Sequence, residues 1–229
     1  MTAAGGTITL LVGAVLLRLT ITGTYQRYVR VEMGPWLTVA GVAVIVLGLV
    51  TLRGALRSGR PVDPHDHDHG HGVGVGWLLL APIAALLLVA PPTLGSYGVG
   101  RAATVDIRAG APVFDPLPRA ASPRPMTLLE FGQRAFDHDG ASFRRAAVQL
   151  TGFVAGTGDH DFRLARYEIA CCAADAIPIV VRVVGTAGDV PPRDEWVTVT
   201  GTFRRLVGDV PVLSATSVVE IQAPNDPYE

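Results

Sequence analysis

Pro35–Leu52, PWLTVAGVAVIVLGLVTL, is the stretch of sequence that decides the first half of the fold. It contains no charged residue, opens with proline at a helix start, and carries Trp36 where a membrane interface would lie. A helix needs about 20 mostly apolar residues to cross a bilayer. We therefore predict that this stretch spans a membrane and that the lipid bilayer is a partner of the chain.

Two further apolar stretches extend the prediction to an α-helical membrane half with two to three spans. Gly76–Tyr97 is free of charge and is bracketed by aromatic residues suited to the membrane interface. Thr7–Thr24 is apolar except for Arg18. If this helix ends soon after Arg18, the guanidinium reaches the headgroups, whereas in a longer helix it is a functional charge inside the membrane.

The arginines that flank Pro35–Leu52 indicate the orientation. Arg53, Arg57 and Arg60 follow it, while Arg27 and Arg30 precede it. Cytoplasmic loops carry an excess of arginine, so the three-arginine loop is placed in the cytoplasm. With three spans, the protein is then a multi-pass protein of the cell membrane with an extracytoplasmic carboxy-terminal domain.

Composition changes sharply near residue 100 and predicts the division of the chain. Residues 1–100 form the transmembrane region, with a His-rich loop at 64–72. Residues 101–126 form a proline-rich connector. Residues 127–229, in which charged residues and short alternating stretches take over, form a soluble β domain.

The β domain is predicted to be a small OB-like barrel preceded by a short helix at Thr127–Phe136. Five short strands in roughly 80 residues suit such a barrel, although a five-stranded sandwich would give the same pattern. Gly152 and Gly201 would permit the sharp bending that a barrel requires. The strand candidates are Arg145–Val154, Phe162–Cys171, Ile179–Val184, Trp196–Arg204 and Val212–Ile221.

The His-rich loop, PHDHDHGHG, is the first candidate site. Its histidines alternate with aspartates and glycines and are His65, His67, His69 and His71. Imidazole and carboxylate groups can together gather a divalent metal ion such as zinc without a preformed cage. The alternative is a solvated linker, because this spacing on a flexible chain sets no coordination geometry.

The only two cysteines are adjacent and form the second candidate site. Cys171 and Cys172 lie in RYEIACCAAD, with Asp175 four residues after the first. The thiols and the carboxylate could bind a metal, with His138 or His160 added by folding. Neighbouring residues on a strand point to opposite faces, so this requires a turn at the pair, and Ala173-Ala174 is not a turn signal. A vicinal disulfide and simple packing remain open.

The net charge and the lack of catalytic motifs argue against nucleic-acid binding proteins and against several classes of enzyme. The formal net charge is −1, lysine is absent, and basic residues are not interleaved with aromatic ones, so nucleic acid is not a predicted partner. The sequence also lacks a Ser/His/Asp set, a phosphate-binding glycine loop and a His-Glu-x-x-His motif. We therefore predict a protein that is not an enzyme, and a divalent metal is the only cofactor that the sequence suggests.

Several of these features together resemble one bacterial family. They are the three apolar stretches, the His-bearing loop, RYEIACCAADAIPIVVRV at 166–183, WVTVTGTF at 196–203 and the closing PNDPYE. This combination resembles the YcgQ-like family of permease subunits along nearly the whole chain. Its most specific elements are Cys171 to Asp175 together with Pro224 and Pro227-Tyr228, and Arg166 lies just upstream.

The resemblance implies an accessory membrane subunit that accompanies a larger multi-spanning permease, in a role related to metals. A membrane-anchored thiol oxidoreductase that uses Cys171 and Cys172 is the alternative, although the Cys-x-x-Cys spacing typical of such enzymes is missing. A structural anchor that recruits a soluble partner is the third hypothesis.

Overall fold

The structure is a computed structural model that describes residues 3–57, 94–100, 114–118, 122–185 and 190–229. The chain forms two compact units, residues 1–92 and residues 93–229. The first contains helices α1 (Ala3–Ile21) and α2 (Gly34–Arg57). The second contains α3 (Ser96–Val99), α4 (Leu128–Phe136), and strands β1 (Arg124–Pro125), β2 (Ala147–Thr157), β3 (Asp161–Glu168), β4 (Ile177–Val184), β5 (Trp196–Val207) and β6 (Val210–Ile221).

Helices α1 and α2 form an antiparallel hairpin whose contact surface is built on glycine. The buried residues of α2 are Gly34, Gly41 and Gly48, which recur every seven positions and so lie on one face. A Cβ atom on Gly48 would lie only 2.9 Å from the backbone nitrogen of Leu10 in α1. The hairpin can therefore close as it does because Gly41 and Gly48 carry no side chain towards α1, an arrangement typical of helix packing in membranes.

Most of the remaining surface of α2 before Arg53 is apolar, and much of it is exposed. Apolar side chains that are more than one third exposed occur along the whole helix and include Trp36, Val39, Val42, Val46, Leu47, Leu49, Val50 and Leu56. A soluble helix would bury such a stripe, whereas α2 buries glycines and turns its large side chains outward. This surface suits lipid or the helices of another membrane protein.

The prediction of a membrane half with two to three spans is wrong in the part of the chain that the structure describes. There, one helix, Val31–Arg57, is long and apolar enough to cross a membrane. The apolar part of the first helix, Gly5–Ile21, is too short to meet the same criterion.

The third candidate span, Gly76–Tyr97, lies outside the described residues except for its last four. Those four belong to the second compact unit, because Leu94 packs against the β domain and Ser96 begins α3 there. The aromatic residue expected to anchor the end of a span, Tyr97, therefore lies in a short helix on the β domain. The histidine loop at 64–72 also lies outside the described residues.

The second half of the fold prediction is confirmed, because β2 to β6 close into a five-stranded barrel. The strand order is β2-β3-β4-β6-β5, and β5 returns to pair with β2. All neighbours are antiparallel except β4 and β6, which are parallel. This connectivity matches the OB-like barrel expected from the sequence, and the two-residue β1 adds a short parallel pairing to β2.

The main core fills the barrel and is closed at one end by α4. The helix begins after Thr127, whose hydroxyl accepts a hydrogen bond from the Glu130 amide at 3.0 Å. Its Phe131 side chain is fully buried and lies against the ring of Phe143, with 5.0 Å between the ring centroids. Val197 and Val199 of β5 point into the same core, as their alternation predicts.

A second cluster lies on the outer face of the barrel. Its buried members are Phe153, Ala155, Ala165, Tyr167, Ile169, Trp196 and Tyr228. Leu94 and Val99, from the segment around α3, cover part of it. The Tyr167 hydroxyl donates to the carbonyl oxygen of Gly95 at 2.9 Å, which fixes that segment to the barrel.

Candidate functional site

The two cysteines lie in a tight turn between β3 and β4. Cys172 has extended backbone angles and precedes a short 3-10 turn at Ala173–Asp175. The Asp175 side chain accepts a hydrogen bond from the Cys172 amide, and the Cys172 sulfur accepts one from the Asp175 amide. This is a capping box in which cysteine takes the place usually held by serine or threonine. The signal for the turn was therefore the Cys-x-x-Asp spacing, which the sequence-based prediction did not consider, and not Ala173-Ala174.

The turn brings together all three residues that the sequence singles out here. The two sulfur atoms and a carboxylate oxygen of Asp175 lie within 4.8 Å of one another. Both thiols are free, and Cys171 is exposed. Three backbone amides, those of Ala170, Cys171 and Cys172, donate to the carboxylate at 2.8, 3.0 and 3.2 Å. The carboxylate is therefore held in place by the backbone.

The pKa values of Cys171 and Asp175 move in opposite directions. The Cys171 thiol donates a hydrogen bond to Asp175 Oδ2 at 3.0 Å. This hydrogen bond, followed by one with Cys172, raises the pKa of Cys171 from 9.0 to about 11. The same thiol, followed by the backbone amides, lowers the pKa of Asp175 to about 2. At neutral pH Cys171 is therefore a thiol and Asp175 a carboxylate, which argues against Cys171 as a redox nucleophile.

Removing the charge at position 175 should make Cys171 more reactive. In Asp175→Asn the thiol pKa should fall towards 9.0. A two-unit fall increases the thiolate population about 100-fold, but the less basic thiolate is roughly 10-fold less nucleophilic, so alkylation near pH 8 should accelerate about 10-fold. Site-resolved mass spectrometry after iodoacetamide treatment measures this rate. The exposed aspartate variant Asp159→Asn is the control, and equal rates in all three proteins would contradict the assignment.

Arg166 ties the end of β3 to the carboxy-terminal strap, which is defined here as residues 224–229. Its Nη2 donates to the carbonyl oxygens of Asp226 at 2.8 Å and Tyr228 at 3.1 Å. The strap also pairs with β3, because the Glu229 amide donates to the Tyr167 carbonyl oxygen at 2.9 Å. The sequence elements that the family resemblance singles out therefore meet at one end of β3.

Glu229 is a buried acid that sequence reasoning missed. Its side chain is 3% exposed, and its two oxygens accept from the amides of Leu128 at 2.9 Å and Leu129 at 3.2 Å, at the start of α4. Burial raises the pKa of this carboxyl group, although the two amides and Arg166 act against the rise. Glu229 thus caps α4 from the far end of the domain. Local sequence patterns could not predict this contact, because Glu229 lies about a hundred positions after Leu128 and Leu129.

The histidines considered as added ligands do not lie at the turn formed by Cys171 to Asp175, which is called the cysteine turn below. His138 and His160 are both exposed, and neither belongs to the cluster of potential metal ligands around Cys171. His138 instead lies 2.7 Å from the neighbouring Asp137 carboxylate. His65, His67, His69 and His71 lie outside the described residues, so their metal binding stays a prediction. Among the described residues, the metal candidates are thus Cys171, Cys172 and Asp175.

Two domains of one known family match most of the chain. Residues 6–102 match the DUF1980 N-terminal domain. Residues 134–229 match the DUF1980 C-terminal domain, and this match includes the cysteine turn, Arg166 and the strap. Comparison with curated proteins gives no match. The chain belongs to the DUF1980 family and consists of that family's amino-terminal domain followed by its carboxy-terminal domain.

Proposed function

We propose that the protein is an accessory, non-catalytic subunit of a membrane permease complex. In this proposal α2 holds the chain in the membrane beside a larger multi-spanning subunit, and the barrel is its folded domain outside the lipid. The single observation that carries the proposal is the surface of α2, which buries glycines and exposes large apolar side chains. The resemblance to YcgQ-like permease subunits supports the same role.

The hairpin geometry leaves the large apolar face of α2 available for contacts outside the hairpin. Gly13 and Gly48 let α1 and α2 approach so closely that a Cβ atom on either would fall within 3.0 Å of the facing helix. The glycine face is thereby used within the hairpin, and the opposite, valine-rich and leucine-rich face of α2 is left for outside contacts. In a membrane such a face meets lipid or a helix of a partner with equal ease, since both are apolar.

If α2 spans a membrane, replacing one of its valines by arginine should weaken membrane retention, whereas the same replacement at a matched valine of the barrel should not. Val46 of α2 and Val219 of β6 are 53% and 54% exposed, so they are matched in residue type and exposure. An arginine near the middle of a spanning helix costs roughly 2.5 to 3.5 kcal/mol on insertion scales, whereas one on the surface of a soluble barrel costs little. We expect wild type and Val219→Arg to stay in the membrane pellet after alkaline carbonate washing, and Val46→Arg to be partly released. Release of the wild type would contradict the membrane role.

The permease partner is tested by photo-crosslinking in cells at the same two positions. A crosslinking amino acid at Val46 should capture a multi-spanning membrane protein, and the same group at Val219 should not. Capture of a soluble protein, and of that alone, would favour the hypothesis of a structural anchor instead. Neither result bears on the thiol oxidoreductase hypothesis, against which the raised pKa of Cys171 already argues.

The side of the membrane on which the barrel lies is tested separately. An extracytoplasmic barrel follows from the arginines at the end of α2 only if the chain crosses the membrane again before Leu94, in a stretch outside the described residues. Reporter enzymes fused after Glu229, one active only in the cytoplasm and one only outside it, distinguish the two placements.

A further inference from the structure

We infer that Cys171, Cys172 and Asp175 form a binding site for a thiophilic divalent metal ion, with zinc as the expected occupant. This inference does not depend on the membrane role proposed above. It names the ligands of a site on the barrel that would bind metal whether or not the chain accompanies a permease.

The spacing of the three ligand atoms fits a zinc ion after a small adjustment. In a tetrahedral site with Zn–S distances of about 2.3 Å, two sulfur ligands lie about 3.8 Å apart. The sulfur and oxygen atoms of the cysteine turn lie within 4.8 Å of one another. The largest of these separations therefore exceeds 3.8 Å by at most about 1 Å, which side-chain rotations of about half an ångström per ligand atom would close.

The turn is held together by its own hydrogen bonds. The Asp175 carboxylate is fixed by the amides of Ala170, Cys171 and Cys172, and the Asp175 amide donates to the Cys172 carbonyl oxygen at 3.0 Å. Binding therefore does not have to order this segment, which lowers its entropic cost. The hydrogen bond from the Cys171 thiol to Asp175 Oδ2 shows that these two ligand atoms face each other.

The metal ion would replace two thiol protons. One M²⁺ ion, two neutral thiols and one carboxylate give a complex with two thiolates and one carboxylate, of net charge −1, and two protons go to solvent. The thiolates are the soft ligands that select zinc and related ions over magnesium or calcium. Three protein ligands leave a fourth coordination position, and the exposure of Cys171 leaves that position open to water or to a ligand from another molecule.

The test uses Cd²⁺ as the probe, because it is a soft ion of the same charge whose bonds to thiolates absorb in the ultraviolet. The full chain is purified in detergent, and a variant with His65, His67, His69 and His71 replaced by serine removes binding by the histidine loop. We expect both proteins to develop the thiolate-to-metal band at one equivalent of Cd²⁺. Because Cd²⁺ binds thiolates more tightly than Zn²⁺, only a large excess of Zn²⁺ should reduce the band by displacement.

The variants decide whether these three residues are the ligands. Cys171→Ser and Cys172→Ser should each weaken Cd²⁺ binding by at least about 10-fold and reduce the band, and Asp175→Asn should weaken it by about 10-fold. Asp159→Asn is the matched control and should bind like the wild type. Circular dichroism checks that each variant is folded. A wild type without the thiolate band, or a Cys171→Ser protein with unchanged affinity, would overturn the site while leaving the result of carbonate washing unaffected.

Discussion

Replacing Gly201 by alanine should destabilise the barrel by about 3 kcal/mol or more. Gly201 lies in β5 beside an irregularity in its pairing with β6. A Cβ atom there would overlap the carbonyl oxygen of Ser214 and would lie 2.9 Å from its carbonyl carbon and 3.1 Å from the Cα atom of Ala215. These are backbone atoms of the neighbouring strand, so β5 and β6 would have to separate. Overpacking that shifts side chains and backbone typically costs roughly 1 to 3 kcal/mol and occasionally more, and direct overlap with backbone atoms places Gly201→Ala at the upper end.

Chemical unfolding of the purified chain, followed by tryptophan fluorescence, measures the effect. Gly100→Ala is the matched control, because Gly100 has an ordinary backbone conformation and a Cβ atom there would meet no other atom within 4 Å. We expect the unfolding midpoint of Gly100→Ala to equal that of the wild type. The proposed close approach would be refuted if Gly201→Ala also unfolded at the wild-type midpoint.

Replacing Trp196 by alanine should cost about 3 to 5 kcal/mol, the range for large aromatic residues removed from a core. Trp196 is 7% exposed and lies edge-on to Phe153, with 5.7 Å between ring centroids. The guanidinium of Arg166 lies 5.8 Å from the centroid of the Trp196 ring. The second cluster would therefore lose its largest side chain, together with the support that this ring gives to the arginine that holds the strap.

A second tryptophan provides the control for this variant. Trp36 of α2 is 73% exposed, so Trp36→Ala should leave the unfolding of the barrel unchanged. Because both variants remove a tryptophan, unfolding is followed by near-ultraviolet circular dichroism of the remaining aromatic residues. If the two variants lost the same small amount of stability, Trp196 would not be a core residue.

The barrel could be predicted because its strands alternate. Val197 and Val199 fall in the main core as their spacing requires, and Gly152 and Gly201 both lie where a neighbouring backbone comes within van der Waals contact. Alternation says only which residues share a face, however. It could not show that Trp196, on the outer face of β5, is buried, because the cover comes from distant parts of the chain such as Leu94 and Tyr228.

The membrane half and the cysteine turn were predicted less well, for different reasons. Hydropathy identified α2, but within the described residues it overestimated the number of spans, because apolar composition does not fix where a helix ends or which unit it joins. Joint use of Cys171 and Cys172 was expected to need a turn at the pair, and Ala173-Ala174, which follow the pair, give no turn signal of their own. The turn is instead set by Asp175, whose carboxylate collects the amides before it, and cysteine is rarely considered as a helix cap.

The capping of α4 by Glu229 has a consequence for how the domain folds. Thr127 offers the helix one local cap, but the acceptor for Leu128 and Leu129 lies 101 and 100 positions further along the chain. The first turn of α4 can therefore be completed only after a loop of that length has closed. Because closing a long loop is entropically costly, we expect this second cap to form late in folding, after the local Thr127 cap. If the strap detaches, the amides of Leu128 and Leu129 lose this acceptor, so we expect the strap and the first turn of α4 to show coupled hydrogen exchange.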